Sequence, residues 1–412
     1  MNNSASAKTI YPWVVVALLW VVAFLNYFDR ILITSMRDPI VSDFSLSDAN
    51  FGLLTSVFLW SYGILSPFGG YFADKYGRKK MIVFSAMVWS VVTLWTGFAT
   101  SFHEMLVARS FMGISEAFYI PAALALIIDY HRDKTRSFAT GLHMSGLYAG
   151  LAFGGIGGYF AEWWGWRSGF RFFGVFGIVY SIILLLFLKD INNDTLVAGV
   201  QNGDETGKEV SFIESVRKLF GVRSFNIILV FFCILGMANW LTYGWLPTFL
   251  KDHFSLKLGA AGMSATGYVQ IGSFAGVILG GILADRWSRS NIRGRLYVII
   301  IGITIGAPFL FLMSSTNIFA FAILGMILYG IARGFHDSNL MPVLCQVVDC
   351  RYTASTYGFL NFISTIIGGC MVYIAGALKD ANISLSVAYQ VIAVLLLFAG
   401  WSLFGVKINR KS

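Results

Sequence analysis

Apolar residues run along this 412-residue chain in long blocks separated by short polar punctuation. The blocks are apolar all round. They show neither the strict alternation of a half-buried strand nor the single stripe of a soluble helix. At 1.5 Å per residue, each is long enough to cross a hydrocarbon layer of ~30 Å. The pattern predicts twelve spans, at 11–35, 49–73, 80–99, 103–129, 137–161, 169–188, 224–250, 258–284, 296–314, 317–349, 352–378 and 385–406. The fold class expected is an all-α membrane protein with twelve transmembrane helices.

One polar stretch is long, residues 189–223, with INNDT and QNGDETGKE followed by FIESVRKLF, a candidate amphipathic helix. It reads as a linker between two six-helix halves, 1–188 and 224–412. The halves repeat. After spans two and eight the sequence reads G-x-x-x-D-x-x-[GS]-R, from Gly70 to Arg78 and from Gly281 to Arg289. Spans four and ten share G-x-x-acid-x4-P, from Gly113 to Pro121 and from Gly334 to Pro342, which pairs Glu116 with Asp337. Both spans then end on an acid, Asp129 and Asp349. Two parallel six-span units about an axis along the membrane normal place a binding site at their interface, near mid-membrane.

Composition agrees. The chain is 57% hydrophobic and 12% charged, against about 25% charged in soluble proteins. The net charge of +9 follows topology, so no nucleic-acid partner is needed to account for it. With both termini on one side, 21 Lys and Arg fall on that side and 6 on the other, and Arg30, Arg109 and Arg333 stay inside spans. That bias predicts both termini in the cytoplasm, in a multi-pass protein of the cell (inner) membrane. The first apolar block lacks a clear cleavage site and reads as an uncleaved span. Trp13, Trp163, Trp164 and Trp166 sit near span ends, as interfacial aromatics do. Cys233, Cys345, Cys350 and Cys370 lie in apolar segments without C-x-x-C spacing and read as packing residues.

Charge inside a span costs several kcal/mol unless it faces protein or a water-filled cavity, on the order of the figure for an arginine at the bilayer centre. Arg109 and Glu116 are seven residues apart in span four, two turns, and so share a face. They mark a transport path, or else an ion pair that only holds helices together. Span ten carries Arg333, His336, Asp337, Ser338 and Asn339. Arg333 and Asp337, at i and i+4, either pair along the helix or face substrate with His336 and Asn339. His143 in span five reads as packing rather than proton transfer. Tyr27, Tyr119, Tyr148, Tyr243, Trp245, Tyr268 and Tyr357 are candidates to stack on a sugar ring or donate hydroxyls, although most aromatics in a chain this rich face lipid or core. His131-Arg132-Asp133 imitates a kinase triplet but sits in a short loop with no soluble domain around it. No metal-ligand cluster or nucleotide loop is present in the sequence, so neither an enzyme nor a cofactor is expected.

These motifs, with WGWRSGFRFFG (164–174), resemble the major facilitator superfamily over essentially the whole chain. LNYFDR (Leu25–Arg30), Tyr62 and the R-x6-E of Arg109 and Glu116 resemble its anion:cation symporter family of galactonate, hexuronate and sialin-like carriers. That resemblance implies proton-coupling roles for Asp29 and Glu116. It implies that Arg30 and Arg109 serve the substrate carboxylate, with Tyr62 lining the cavity and Asn26 and Tyr119 beside it. The loop motifs imply a gating relay of Asp74, Arg78 and Asp129, with a second copy in Asp285, Arg289 and Asp349. Spinster-type lipid carriers share a similar first span, so a lipid carrier or another antiporter or sugar carrier is the alternative; a non-transporting sensor is remoter still.

The expected mechanism is an exchange of partners. Burial disfavours a charged carboxyl and a neighbouring arginine favours it, so the balance lets an acid bind and release a proton. Ionised acids engage Arg30 and Arg109; protonation frees the guanidinium groups for an anion, which they hold in a planar fork. The partners expected are thus a small anionic substrate and protons, with sodium as the alternative coupling ion, and a lipid bilayer; the family resemblance implies a monomer.

Overall fold

The structure, a computed structural model, describes residues 3–131, 135–190, 220–348 and 353–408, and every regular element among them is helical. Span one is α1 (Asn3–Leu32), continued through a 3-10 turn at Thr34–Met36 by α2 (Arg37–Phe44). Span two is α3 (Asp48–Leu65) and α4 (Gly69–Tyr76), and span three is α5 (Arg78–Thr96). Span four is α6 (Phe102–Glu116) and α7 (Tyr119–Tyr130). Span five is α8 (Arg136–Phe153) and α9 (Gly157–Trp164), and span six is α10 (Trp166–Phe187). Then come α11 (Arg223–Phe254), α12 (Leu258–Ser288), α13 (Gly294–Ser315), α14 (Phe319–Val347), α15 (Thr353–Asp380) and α16 (Leu385–Ser402).

All twelve expected spans are helical, and ten are long and apolar enough to cross a membrane on those grounds alone. The other two are α5, which opens on Arg78-Lys79-Lys80, and α8–α9, where glycine, serine and histidine dilute the apolar residues. Most of the expected linker, the FIESVRKLF segment but for Phe220, and Asp349 and Cys350 lie outside the described residues. Trp163 and Trp164 are exposed as expected at an interface, but Trp166 is buried and donates to Asp43 Oδ2 at 3.0 Å.

Local chemistry sets the breaks. Proline at 121 has no N–H for the carbonyl of Ala117, so span four parts into two helices immediately after Glu116. Pro67 stands in the 3-10 turn Ser66–Phe68 between α3 and α4. The start of α6 is capped: Ser101 Oγ accepts from Glu104 N at 3.2 Å, and Glu104 Oε2 accepts from Thr100 N at 2.6 Å.

Helices before residue 188 pack mainly on one another, α1 on α8, α3 on α6 and α5 on α10; those after 223 do likewise, α12 and α13 on α14 and α11 on α15. The two groups meet along two seams, α3 against α15 and α8–α9 against α12. At the second seam the backbones touch. A Cβ on Gly155 would stand 2.3 Å from Gly262 O, and one on Gly262 would stand 2.6 Å from Gly155 O. Hydrogen bonds and ion pairs join the groups from the side opposite the termini up to the Tyr148–Asp337 contact near mid-span. The groups are therefore closed together on that far side.

Candidate functional site

The first half holds a buried charged centre. Arg30 Nε donates to Glu116 Oε2 at 2.7 Å, joining α1 to the end of α6, with side chains 2% and 0% exposed. Arg30 also donates to Asn26 Oδ1 at 3.0 Å, one turn back on α1. Its guanidinium lies between tyrosine rings, 4.4 Å from the centroid of Tyr27 and 4.3 Å from that of Tyr62. Asp29 points elsewhere: Thr93 Oγ1 of α5 donates to its Oδ2 at 3.2 Å, and Oδ1 has no hydrogen-bond partner. Glu116 Oε1 is likewise unpartnered.

Arg109 departs from expectation. It makes no ion pair with an acid among the described residues. Its Nε donates to Leu54 O at 3.4 Å and its Nη1 lies 3.1 Å from Met112 Sδ. The Phe58 ring stands against both cations, 4.7 Å from Arg109 and 5.4 Å from Arg30. Glu116 turns toward Arg30, so the shared face of Arg109 and Glu116 carries no direct pair. Tyr119 is also apart from the centre: it is fully buried, its hydroxyl donates to Leu19 O at 2.8 Å, and its ring packs on Trp89 and His143.

The second half holds a looser cluster on α14. Arg333 Nε approaches Asp337 Oδ2 at 3.6 Å without a hydrogen bond, and its guanidinium lies 5.0 Å from the Tyr243 ring centroid. Asp337 is held by others. His336 Nδ1 lies 3.0 Å from its Oδ1, and the hydroxyl of Tyr148, from the first half, donates to Oδ2 at 3.2 Å. His336 packs between Phe231 and Phe232. Asn339 is buried and donates to Phe335 O at 2.9 Å and Gly280 O at 3.3 Å, so it ties α14 to α12. Gln270 Nε2 donates to Tyr243 OH at 3.4 Å, a neighbour that the sequence reading passed over.

On the termini side, Arg78 joins Asp129 and donates to Ala125 O at 3.0 Å, with Asp74 at 3.8 Å. The second copy is different. Asp285 pairs with Arg295, at the start of α13, at 2.7 Å, and Arg289 is not its partner. The two cations sit on opposite sides of a tight turn, and the turn brings residue 295 back over the end of α12. On the far side there is a charged latch that motif reading missed. Arg37 joins Asp48, and Lys251 Nζ reaches Asp38 at 2.5 Å. Lys379 Nζ lies 3.3 Å from both Asp48 and Asp252, and Asp380 accepts from the backbone N–H of Asp48 and Ala49 at 2.7 and 2.8 Å. A signal was present: Arg37-Asp38, Lys251-Asp252 and Lys379-Asp380 are three base–acid dipeptides at far-side span ends. No group of three or more potential metal ligands occurs among the described residues.

A multi-pass helical protein of two packed helix groups, one holding a buried arginine–acid pair and the other an arginine–acid cluster near their interface, has the build of a membrane carrier. The Major Facilitator Superfamily model matches residues 19–373, and the chain belongs to that superfamily of transporters. It is 27% identical to a probable L-galactonate transporter of Escherichia coli over 90% of this chain and 84% of that one. It is 25% identical to a probable sulfoacetate transporter, SauU, of Cupriavidus necator, over 93% and 90%. The fold is shared with the crystal structure of a bacterial homolog to the human lysosomal transporter Spinster in an inward-facing, occupied conformation. There the TM-score is 0.78 at 21% identity, over 96% of this chain and 97% of that one.

Proposed function

We propose that this protein imports an organic anion, a sugar acid foremost, by symport with protons and alternating access. The observation that carries the reading is the sealed Arg30–Glu116 pair at 2.7 Å, a cation whose one carboxylate partner among the described residues is removable by a proton. Its setting between Tyr27 and Tyr62 suits a carboxylate followed by hydroxyls. The relatives named for galactonate and sulfoacetate transport support an anionic cargo. Protonation of Glu116 frees Arg30 for the substrate, and Asp29, tied only to Thr93, supplies a second proton site. Arg109 then sets the field of the centre from behind Phe58, in place of gripping substrate itself. Asp74, Arg78 and Asp129, which bond within the first half here, are the gating relay of the termini side, which is cytoplasmic in an inner-membrane protein with halves 1–188 and 224–412, and the chain works as a monomer. A second reading, a lipid-type carrier, rests on the first span, whose LNYFDR resembles that of spinster-type carriers.

Purified protein in liposomes, given an imposed pH gradient and labelled sugar acids, tests this. Glu116→Gln keeps an oxygen for Arg30 Nε but cannot cycle a proton. It should lose gradient-driven accumulation while still exchanging labelled for unlabelled anion. Full accumulation by E116Q would defeat the scheme, and uptake of lipid with no uptake of acids would favour the second reading.

A further inference from the structure

Resting on that reading, we infer that the substrate carries two acidic groups, one for Arg30 in the first half and one for Arg333 in the second. Each half offers the same fitting at the interface. Arg30 lies on the faces of Tyr27 and Tyr62 beside the carboxamide of Asn26. Arg333 lies near the face of Tyr243, whose hydroxyl receives the carboxamide of Gln270.

The second arginine is under-used. Among the described residues Arg333 Nε has no hydrogen-bond acceptor, and the one acid within reach, 3.6 Å away, already takes donors from Tyr148 and His336. Of the five N–H donors in the fixed fork of a guanidinium, the one on Nε is unmet here, which is costly in a largely dry site. A carboxylate or sulfonate arriving there would meet that donor and a neighbouring Nη N–H bidentately.

Position separates Arg333 from the other spare cation. Arg109 is wholly sealed, behind the Phe58 ring. The Arg333 side chain is 11% exposed and that of Asp337 25% exposed, and Asp337 already bonds to Tyr148 of the other half. The Arg333 cluster therefore faces the interface where cargo passes. The charge arithmetic fits as well. Two protons, on Asp29 and Glu116, offset a dianion, so its import moves no net charge. A monoanion taken with the same two protons carries one positive charge inward, favoured by about 2.3 kcal/mol per 100 mV.

The test uses a matched pair of probes, a six-carbon aldarate and the corresponding aldonate, which differ only in a terminal carboxylate in place of a hydroxymethyl group. In proteoliposomes the wild type should prefer the aldarate in kcat/KM by roughly tenfold or more, as a site built around a second charge discriminates. Because R333Q alone would strand Asp337, the variant is R333Q/D337N, which keeps the site neutral. It should bring the preference close to parity, R333K should retain part of it, and R30Q should depress uptake of both probes. A negative-inside potential should speed the aldonate and leave the aldarate unaffected. The proposal is overturned if the wild type takes the aldonate equally well, or if a stably folded R333Q/D337N keeps the preference. Uptake of neither acid would overturn the underlying reading and this one with it.

Discussion

The far-side seam makes a quantitative demand on the transport cycle. Gly155→Ala adds a single Cβ, which would stand 2.3 Å from Gly262 O and 2.4 Å from Gly262 C, both backbone atoms that no rotamer change can move. Ordinary contact begins near 3.4 Å, so the 3-10 turn Gly154–Ile156 that joins α8 to α9 must part from α12 by about 1 Å, or the closed state must bear overpacking of about 1–3 kcal/mol. Gly155 has no left-handed backbone conformation that alanine would strain, so the local element does not suffer. If closure on this side is one of two exchanging states, that penalty shifts the balance toward the far-side-open state by about 5- to 150-fold. Nitroxides at Trp163→Cys and Lys257→Cys, both exposed and flanking the seam, would report it by pulsed electron resonance in a background cleared of the four native cysteines. The G155A distribution should move to longer distances and turnover should fall, with anion binding retained from the far side. An unchanged distribution with full turnover would show that the glycine contact does not set the closed state.

Three further outcomes follow from the same geometry. Tyr119→Phe leaves Leu19 O without its buried partner and should lower stability by about 1 kcal/mol without changing KM for the anion; a raised KM would return Tyr119 to the substrate. Lys379→Gln removes contacts to Asp48 and Asp252 at 3.3 Å. Such part-exposed pairs are worth about 0–1 kcal/mol, so it should open the far side only modestly, and less so as salt rises toward about 1 M; a salt-independent effect would argue against the latch. Asp129→Asn should slow transport about tenfold more than Asp285→Asn, since Asp129 is 12% exposed and Asp285 64% exposed. Equal effects would mean that the two copies carry equal load.

The span pattern and the repeat were legible because a bilayer imposes length and apolarity directly, and because duplicated motifs keep their spacing. The pairings were harder. Seven residues between Arg109 and Glu116 place them on one face, yet side-chain partners are chosen across helices, and Arg30 of α1 was closer to the acid than its own helix mate. The break after Glu116 was written in Pro121, whose effect falls four residues earlier than the proline itself. Asp285 met Arg295 because a turn, and no motif, decides which cation folds back over a helix end. The latch residues were read only as orienting charges, since a count of Lys and Arg ignores the acid beside each one.

The break in span four falls where the proton is proposed to bind. Glu116 is the last residue of α6, and Ala117 and Phe118 form the joint that leads into α7. Its ion pair acts as a strut from α1 onto the end of a lever. Once the carboxyl is neutral the strut slackens at the very point where the rod can bend. Chemical occupancy and mechanical compliance then share one residue, and no chain of relays is needed to convert a proton's arrival into a change of angle.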